Sequence, residues 1–265
     1  MQKVIRGTAI FLALSGALCL TAQTPPQPAP QTPAQAAAQP AAGAPTLTAD
    51  QIVARYIAAI GGKEAISQVK SISMETTAQV MGNDAPGSTV VLDGVGYRNE
   101  LAVNDTKIVQ VFTAKGGWKV NPMAGAPDPT PLTDDEYKMG EEQIYVGGPL
   151  YDYAAKGNKI ELVGNDAASY KIKLTTKDNV ESTYIFDSRT FLVKSLMRKG
   201  QMQGQDVDVT TSFSDYRKTG AGFSLPWAIG VDFGGQFQIT ITVHKVEVNN
   251  PVDPAIFAMP AAAKT

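Results

Sequence analysis

"VKSISMETTAQV", residues 69–80, is where the chain changes its period. Ahead of it, apolar residues recur three and four apart. Within it they recur every second residue: Ile72, Met74, Ala78 and Val80 take one side, and Ser73, Glu75, Thr77 and Gln79 the other. That alternation belongs to a β-strand with one apolar and one solvated face.

The same pattern continues downstream through "STVVLD", "GYRNELAV", "KIVQVFTA", "GWKVNP", "KIELVG", "SYKIKLTT", "ESTYIFD", "FLVKSLMRKG", "QDVDVTTSFSDYR", "WAIGVDF" and "FQITITVHKVEV". Turn signals such as "GND", "KGG", "KDN", "DSRT", "GAG" and "FGG" separate the runs. The fold class is mainly β with a few helices (α+β). About eleven strands in sequential hairpins predict one large, strongly curved antiparallel sheet.

Upstream, Thr48 and Gln51 stand in capping-box spacing with Asp50 in the first turn. Ile52, Val53, Tyr56, Ile57 and Ile60 then form one apolar helical face, and Gly61-Gly62 ends the helix. A short helical piece, "KEAISQV", follows. The strands are interrupted at 121–156, where "NPMAGAPDPTPL" reads as a proline-rich loop. "TDDEYKMGEEQ" is a helix with Thr133 and Glu136 as its capping box, and "GPLYDYAAKG" is a further helical stretch. Such an insertion can cover the mouth or the concave face of a curved sheet.

The N-terminal residues stand apart from this body. Residues 1–22 carry Lys3 and Arg6, an apolar run "TAIFLALSGALCL" and small residues before Gln23, the order of a cleaved export signal. That run is shorter than the ~20 residues of a membrane-spanning helix. The sole cysteine, Cys19, follows bulky Leu18, a poor context for lipid anchoring, and cleavage near Ala22 removes it. Residues 23–46 contain only Pro, Ala, Gln, Thr and one Gly, a disordered linker in composition. Residues 47–265 form one domain, placed by the signal in the periplasm.

Composition narrows the chemistry. The net charge of −2 lacks the basic footprint of a nucleic-acid binder. The one histidine, His244, falls at a polar strand position beside Thr240 and Thr242, and no G-x-S-x-G elbow accompanies it. Asp206 and Asp208 on one strand face have no His or Cys partners to make a metal site. The glycines lie between strands, where turns require them, and not between a strand and a helix as a phosphate site would need. Neither a catalytic residue, a metal site nor a cofactor is expected. A two-carboxylate hydrolase is disfavoured by just two tryptophans.

What remains is an apolar interior. Met74, Val91, Tyr97, Leu101, Phe112, Trp118, Phe186, Leu196, Phe213, Trp227 and Phe233 are its candidate lining. Taken singly, each also suits an ordinary core; as a group beneath helices they suit a ligand cavity.

Four segments carry a resemblance in their order and spacing: "GYRNEL", "TAKGGWKVNPMAGAP", "STYIFDSRTFLVKSLMRKG" and the closing "VNNPVDPAIFAMP". Together with the opening helix they resemble periplasmic lipoprotein carriers of the LolA/LolB type and the broader group of outer-membrane lipoprotein-sorting proteins. The resemblance implies a half-open β-barrel covered by helices. It also implies a non-enzymatic role: binding lipoprotein acyl chains or another lipid, as a monomer that meets inner- and outer-membrane partner proteins. Some carriers place an arginine in the cavity to hold the lid. Arg98 is the nearest match, although alternation with Tyr97 points it outward. A non-catalytic envelope-assembly module with a filled core is the alternative. In the closing segment, Pro251 and Pro254 stop the last strand. Ile256, Phe257 and Met259 are expected to swing back onto the barrel with Phe257 buried, and disorder to begin only after Pro260.

Overall fold

The computed structural model describes residues 47–260, apart from 81, 105, 203 and 204. The export signal, Cys19, the 23–46 linker and the disorder expected after Pro260 lie outside the described residues.

The first helix, α1 (Ala49–Ala59), starts where its capping box dictates. Gln51 N–H donates to the Thr48 hydroxyl at 3.3 Å, and Gln51 Oε1 accepts from Thr48 N–H at 3.0 Å. Its apolar face buries Ile52, Val53 and Ile57. Gly61 then turns the chain with φ 125°, and a Cβ there would stand 2.6 Å from the carbonyl oxygen of Gly222. Glycine is required twice over, for its backbone angle and for that close approach. The short helix α2 (Gly62–Gln68) leads into the sheet.

Among the described residues, thirteen strands form one antiparallel sheet, two more than the approximate expectation. They are β1 (Ser71–Val80), β2 (Asn83–Leu92), β3 (Gly96–Val103), β4 (Thr106–Thr113), β5 (Gly116–Asn121), β6 (Ala126–Pro131), β7 (Lys159–Asn165), β8 (Ser169–Thr175), β9 (Glu181–Asp187), β10 (Val193–Met202), β11 (Gln205–Lys218), β12 (Ser224–Phe233) and β13 (Gln238–Val248). The spatial order is β6-β5-β4-β3-β2-β1-β13-β12-β11-β10-β9-β8-β7. Consecutive hairpins build each half, and the first and last strands join the halves at the centre. The sheet is curved but unclosed, because β6 and β7 remain edges. A register shift between Glu75 and Thr76 in the central β1–β13 pair adds to the bend.

Two corrections fall in the 121–156 interruption. Residues 126–131, read as loop, form edge strand β6. Leu132 N–H donates to the Gly117 carbonyl at 2.9 Å, and Lys119 pairs with Thr130. This register turns the amide positions of Pro129 and Pro131 toward the open edge, where a missing N–H breaks no ladder. "GPLYDYAAKG" is a series of turns rather than a helix. The capping-box prediction holds at α3 (Asp134–Gly140), where Glu136 N–H donates to the Thr133 hydroxyl at 3.3 Å. A 3₁₀ turn, Glu141–Ile144, continues from it.

Buried apolar clusters lie on both faces of the sheet, for different reasons. The inner face packs against α1 and α2 around Ile52, Ile60, Val69, Ile72, Ile172, Leu174 and Phe186. The outer face of β4 and β5 carries Val109, Val111 and Trp118, covered by the closing segment through Ile256 and Phe257. Phe257 is buried, as expected, and Trp118 Nε1 donates to its carbonyl at 2.9 Å. A Cβ on Gly96 would meet the Phe257 ring at 2.5 Å, so the ring lies directly on the β3 backbone. Met259 does not join this contact; it is 48% exposed.

Candidate functional site

Cross-strand partners divide the inner face into rows. Ile72, Val91, Tyr97 and Phe112 stand in one apolar row. Met74, Thr89, Asn99, Gln110 and Lys119 follow in a row that is mostly polar. Gly87, Leu101 and Ile108 come next, and apolar character returns. A polar belt thus crosses the interior between a helix-covered end and the end formed by the hairpin tips.

The helix-covered end is filled. Met74, Val91, Tyr97, Phe186, Leu196 and Phe213 all pack into the main cluster under α1 and α2. Burial raises the Tyr97 hydroxyl to about 12, and the Tyr56 hydroxyl likewise, so both stay neutral at physiological pH. Phe112 is buried beneath α3, with Tyr137 at 6.4 Å between ring centres.

The hairpin-tip end holds a cavity of about 230 Å³. Leu101 and Phe233 line it with Val80, Val103, Ile108, Met123, Phe237 and Ile239, while Asn99, Gln110, Lys119 and Asn121 form its polar side. Curvature is what brings β5 and the β12–β13 hairpin to opposite walls of one space. Phe237 and Ile239 were not singled out from the sequence, although the alternation in "FQITITVHKVEV" carries both.

Two predicted lining residues are elsewhere. Trp118 is on the outer face with Val111, under the closing segment. It was misplaced because β4 is apolar on both sides, and alternation alone cannot say which side is inner. Trp227 is outside the main cluster, with the Arg217 guanidinium 4.5 Å from its ring centre and its indole N–H buried without a partner. His244 is exposed, its Nε2 2.9 Å from the Thr77 hydroxyl.

Helix α3 bridges the two halves of the sheet as a strap, with contacts on β4, β5 and β10. On one side, Tyr137 donates its hydroxyl to the Thr113 carbonyl of β4 at 2.9 Å. Glu136 Oε1 pairs with Lys119 of β5. On the other side, Arg198 of β10 donates through Nη1 to the Met139 carbonyl at 3.0 Å. Arg98 plays no such part. It is on the outer face, pairs with Glu100 and donates to the Ile256 carbonyl at 2.8 Å. The residue that holds the strap was missed because its acceptor is a backbone oxygen 59 positions away.

Electrostatics around the strap reflect burial. Desolvation pushes the Arg198 guanidinium below its ordinary value. Burial alone would raise Glu136, but hydrogen bonds from Lys119 and Thr133 outweigh it and hold the carboxyl below its usual range. Just beyond, Glu142 is buried; Asn158 Nδ2 donates to its Oε1 at 2.6 Å, and its Oε2 has no partner. Burial raises the Glu142 carboxyl despite that hydrogen bond.

Among solved structures, the chain matches a LolA superfamily protein from Nitrosomonas europaea with a TM-score of 0.54 at 10% identity, over 80% of this chain and 98% of the other. It also matches a candidate outer membrane lipoprotein-sorting protein domain from Vibrio parahaemolyticus, with a TM-score of 0.50 at 9% identity, over 74% and 93% of the two chains. No protein-family model matches the chain, and no curated protein matches it by sequence. The fold is therefore that of the LolA-type structures.

Proposed function

We propose that this chain is a periplasmic, non-enzymatic carrier that takes lipoprotein acyl chains, or another lipid, into its concave interior and helps sort them to the outer membrane. The observation that carries this reading is the cavity of about 230 Å³ at the hairpin-tip end of an apolar interior that α3 bridges. Burial of each methylene is worth ~0.8 kcal/mol, so an apolar space holds a lipid tail without any catalytic group. The cavity is smaller than the ~300–1,000 Å³ of ordinary ligand pockets. A full acyl chain therefore needs further space, which lifting α3 from Phe112 would supply by breaking the Tyr137, Lys119–Glu136 and Arg198 contacts described above. The LolA-type fold agrees with the reading.

One observation favours a second reading. Six of the candidate lining residues are packed against helices in the main cluster, as an envelope-assembly module with a filled core would have them. Native mass spectrometry separates the two. The mature protein is purified gently and weighed before and after extraction with organic solvent. A mass excess matching a lipid is the expected result. A ligand-free protein that also fails to bind a fluorescent fatty acid overturns the carrier reading and leaves the filled module.

A further inference from the structure

Lys119 stands where the two kinds of interior meet. It belongs to the polar belt, beside Gln110, and it lines the apolar cavity. Its side chain is only 15% exposed, so its ammonium is largely taken out of water and needs an anion. In this structure Glu136 supplies that anion from the strap.

Glu136 has a second attachment. Its Oε2 accepts from Thr133 N–H at 3.0 Å, closing the capping box at the start of α3. The capping bond would continue to serve this carboxylate if Lys119 turned away, whereas Lys119 would then require a new anion. Glu136 is as buried as Lys119, with 11% of its side chain exposed, but it keeps two bonds from Thr133 when Lys119 turns away.

Resting on the carrier reading above, we infer that the cavity selects amphiphiles with an anionic head, which displaces Glu136 from Lys119 and so releases one tether of α3. The tail enters among Leu101, Ile108 and Phe233, while the head meets Lys119 with the carboxamides of Asn99 and Gln110 on the same belt. Loading and strap opening are thereby one exchange of ion partners, with no net loss of charge pairing at Lys119.

The test compares decanoate, decyl phosphate and decan-1-ol, matched in chain length, by titration calorimetry on the full mature chain at pH 8. At least one anion binds tenfold or more tighter than the alcohol, and which one does so identifies the head as carboxylate or phosphate. Lys119→Met abolishes the difference. Glu136→Gln, which keeps a capping-box side chain at the helix start, strengthens anion binding and serves as the folded control. Hydrogen exchange over residues 134–144 increases with the anion but not with decanol, and is already increased in Glu136→Gln without ligand. Equal affinity for all three overturns the ion exchange while leaving an apolar carrier. Failure of all three to bind overturns the carrier reading as well.

Discussion

Arg198 on β10 holds the carbonyl oxygen of Met139 at 3.0 Å, so a residue from the second half of the sheet secures a helix that leaves the first half. The two halves are also joined through the central β1–β13 pair, the packing of their shared inner face, and the Lys177–Glu141 and Asn158–Glu142 contacts just after α3. The strap is thus a second bridge, on the open side of the curve, and it crosses the interior in doing so. A part-buried guanidinium bonded to a carbonyl is a contact of moderate strength, about 1.5–3 kcal/mol for a hydrogen bond to a charged group.

Arg198→Met keeps the length of the stem and removes the bond. Because the charge leaves together with its desolvation cost, global stability should change little. Opening of α3 should increase. The expected result is a midpoint in urea close to wild type, with faster hydrogen exchange at residues 134–144. Unchanged exchange there would show that Arg198 does not hold the strap.

The closing segment makes a different demand. Phe257 is 3% exposed against the β3 backbone and Trp118. Phe257→Ala should cost about 3–5 kcal/mol, the range for a buried aromatic. Gly96→Ala should act on the same contact from the other side, since its Cβ would fall 2.5 Å from the ring. Urea unfolding followed by tryptophan fluorescence measures both. If each variant matched wild type, the segment would be a passive cover.

These residues also mark what was legible in the sequence. Both capping boxes were readable because their partners lie three positions apart. Phe257 was readable because Pro251 and Pro254 must stop the strand before it. Strand β6 was hidden by its prolines, which forbid a central strand but suit an edge. Trp118 was assigned to the wrong face because the closing segment makes the outer face of β4 as apolar as the inner. The cavity wall at Phe237 and the latch at Arg198 depend on curvature and on a distant backbone oxygen, neither of which leaves a local pattern.

Glu142 gives the fold a pH dependence. Its carboxyl is raised above its ordinary 4.5, first by burial and then by the Asp178 charge, against lowering by Asn158, Lys156 and Lys177. A raised acid favours its neutral form in the folded state. Its contribution is therefore fully present below about pH 4.5 and is lost as pH rises through the folded value. Lys156, whose ammonium burial holds below its ordinary value, is present in both proteins compared. Glu141 and Asp178 remain in both proteins compared, so the difference isolates Glu142. Stability of wild type relative to Glu142→Gln should fall as pH rises above 4.5, measured by urea midpoints. Parallel profiles would show that the buried carboxyl is not strained.

The two sheet edges carry different protection, and β6 offers the sharper test. Its proline nitrogens at 129 and 131 face away from β5, so the open edge lacks donors that a second chain would need. Edge β7 relies instead on exposed Lys159 and Glu161 and on a register shift between Leu162 and Gly164. Pro129→Thr with Pro131→Thr restores two outward amides and adds β-branched residues suited to a strand. The ladder to β5 is untouched, so the fold should survive. Edge-to-edge pairing should then appear as concentration-dependent dimers or larger species in size-exclusion chromatography with light scattering. The corresponding pair Lys159→Thr with Glu161→Thr on β7 should associate less, because the register shift still bends that edge away. A double-proline variant that stays monomeric at every concentration would mean that something other than missing donors keeps β6 solitary.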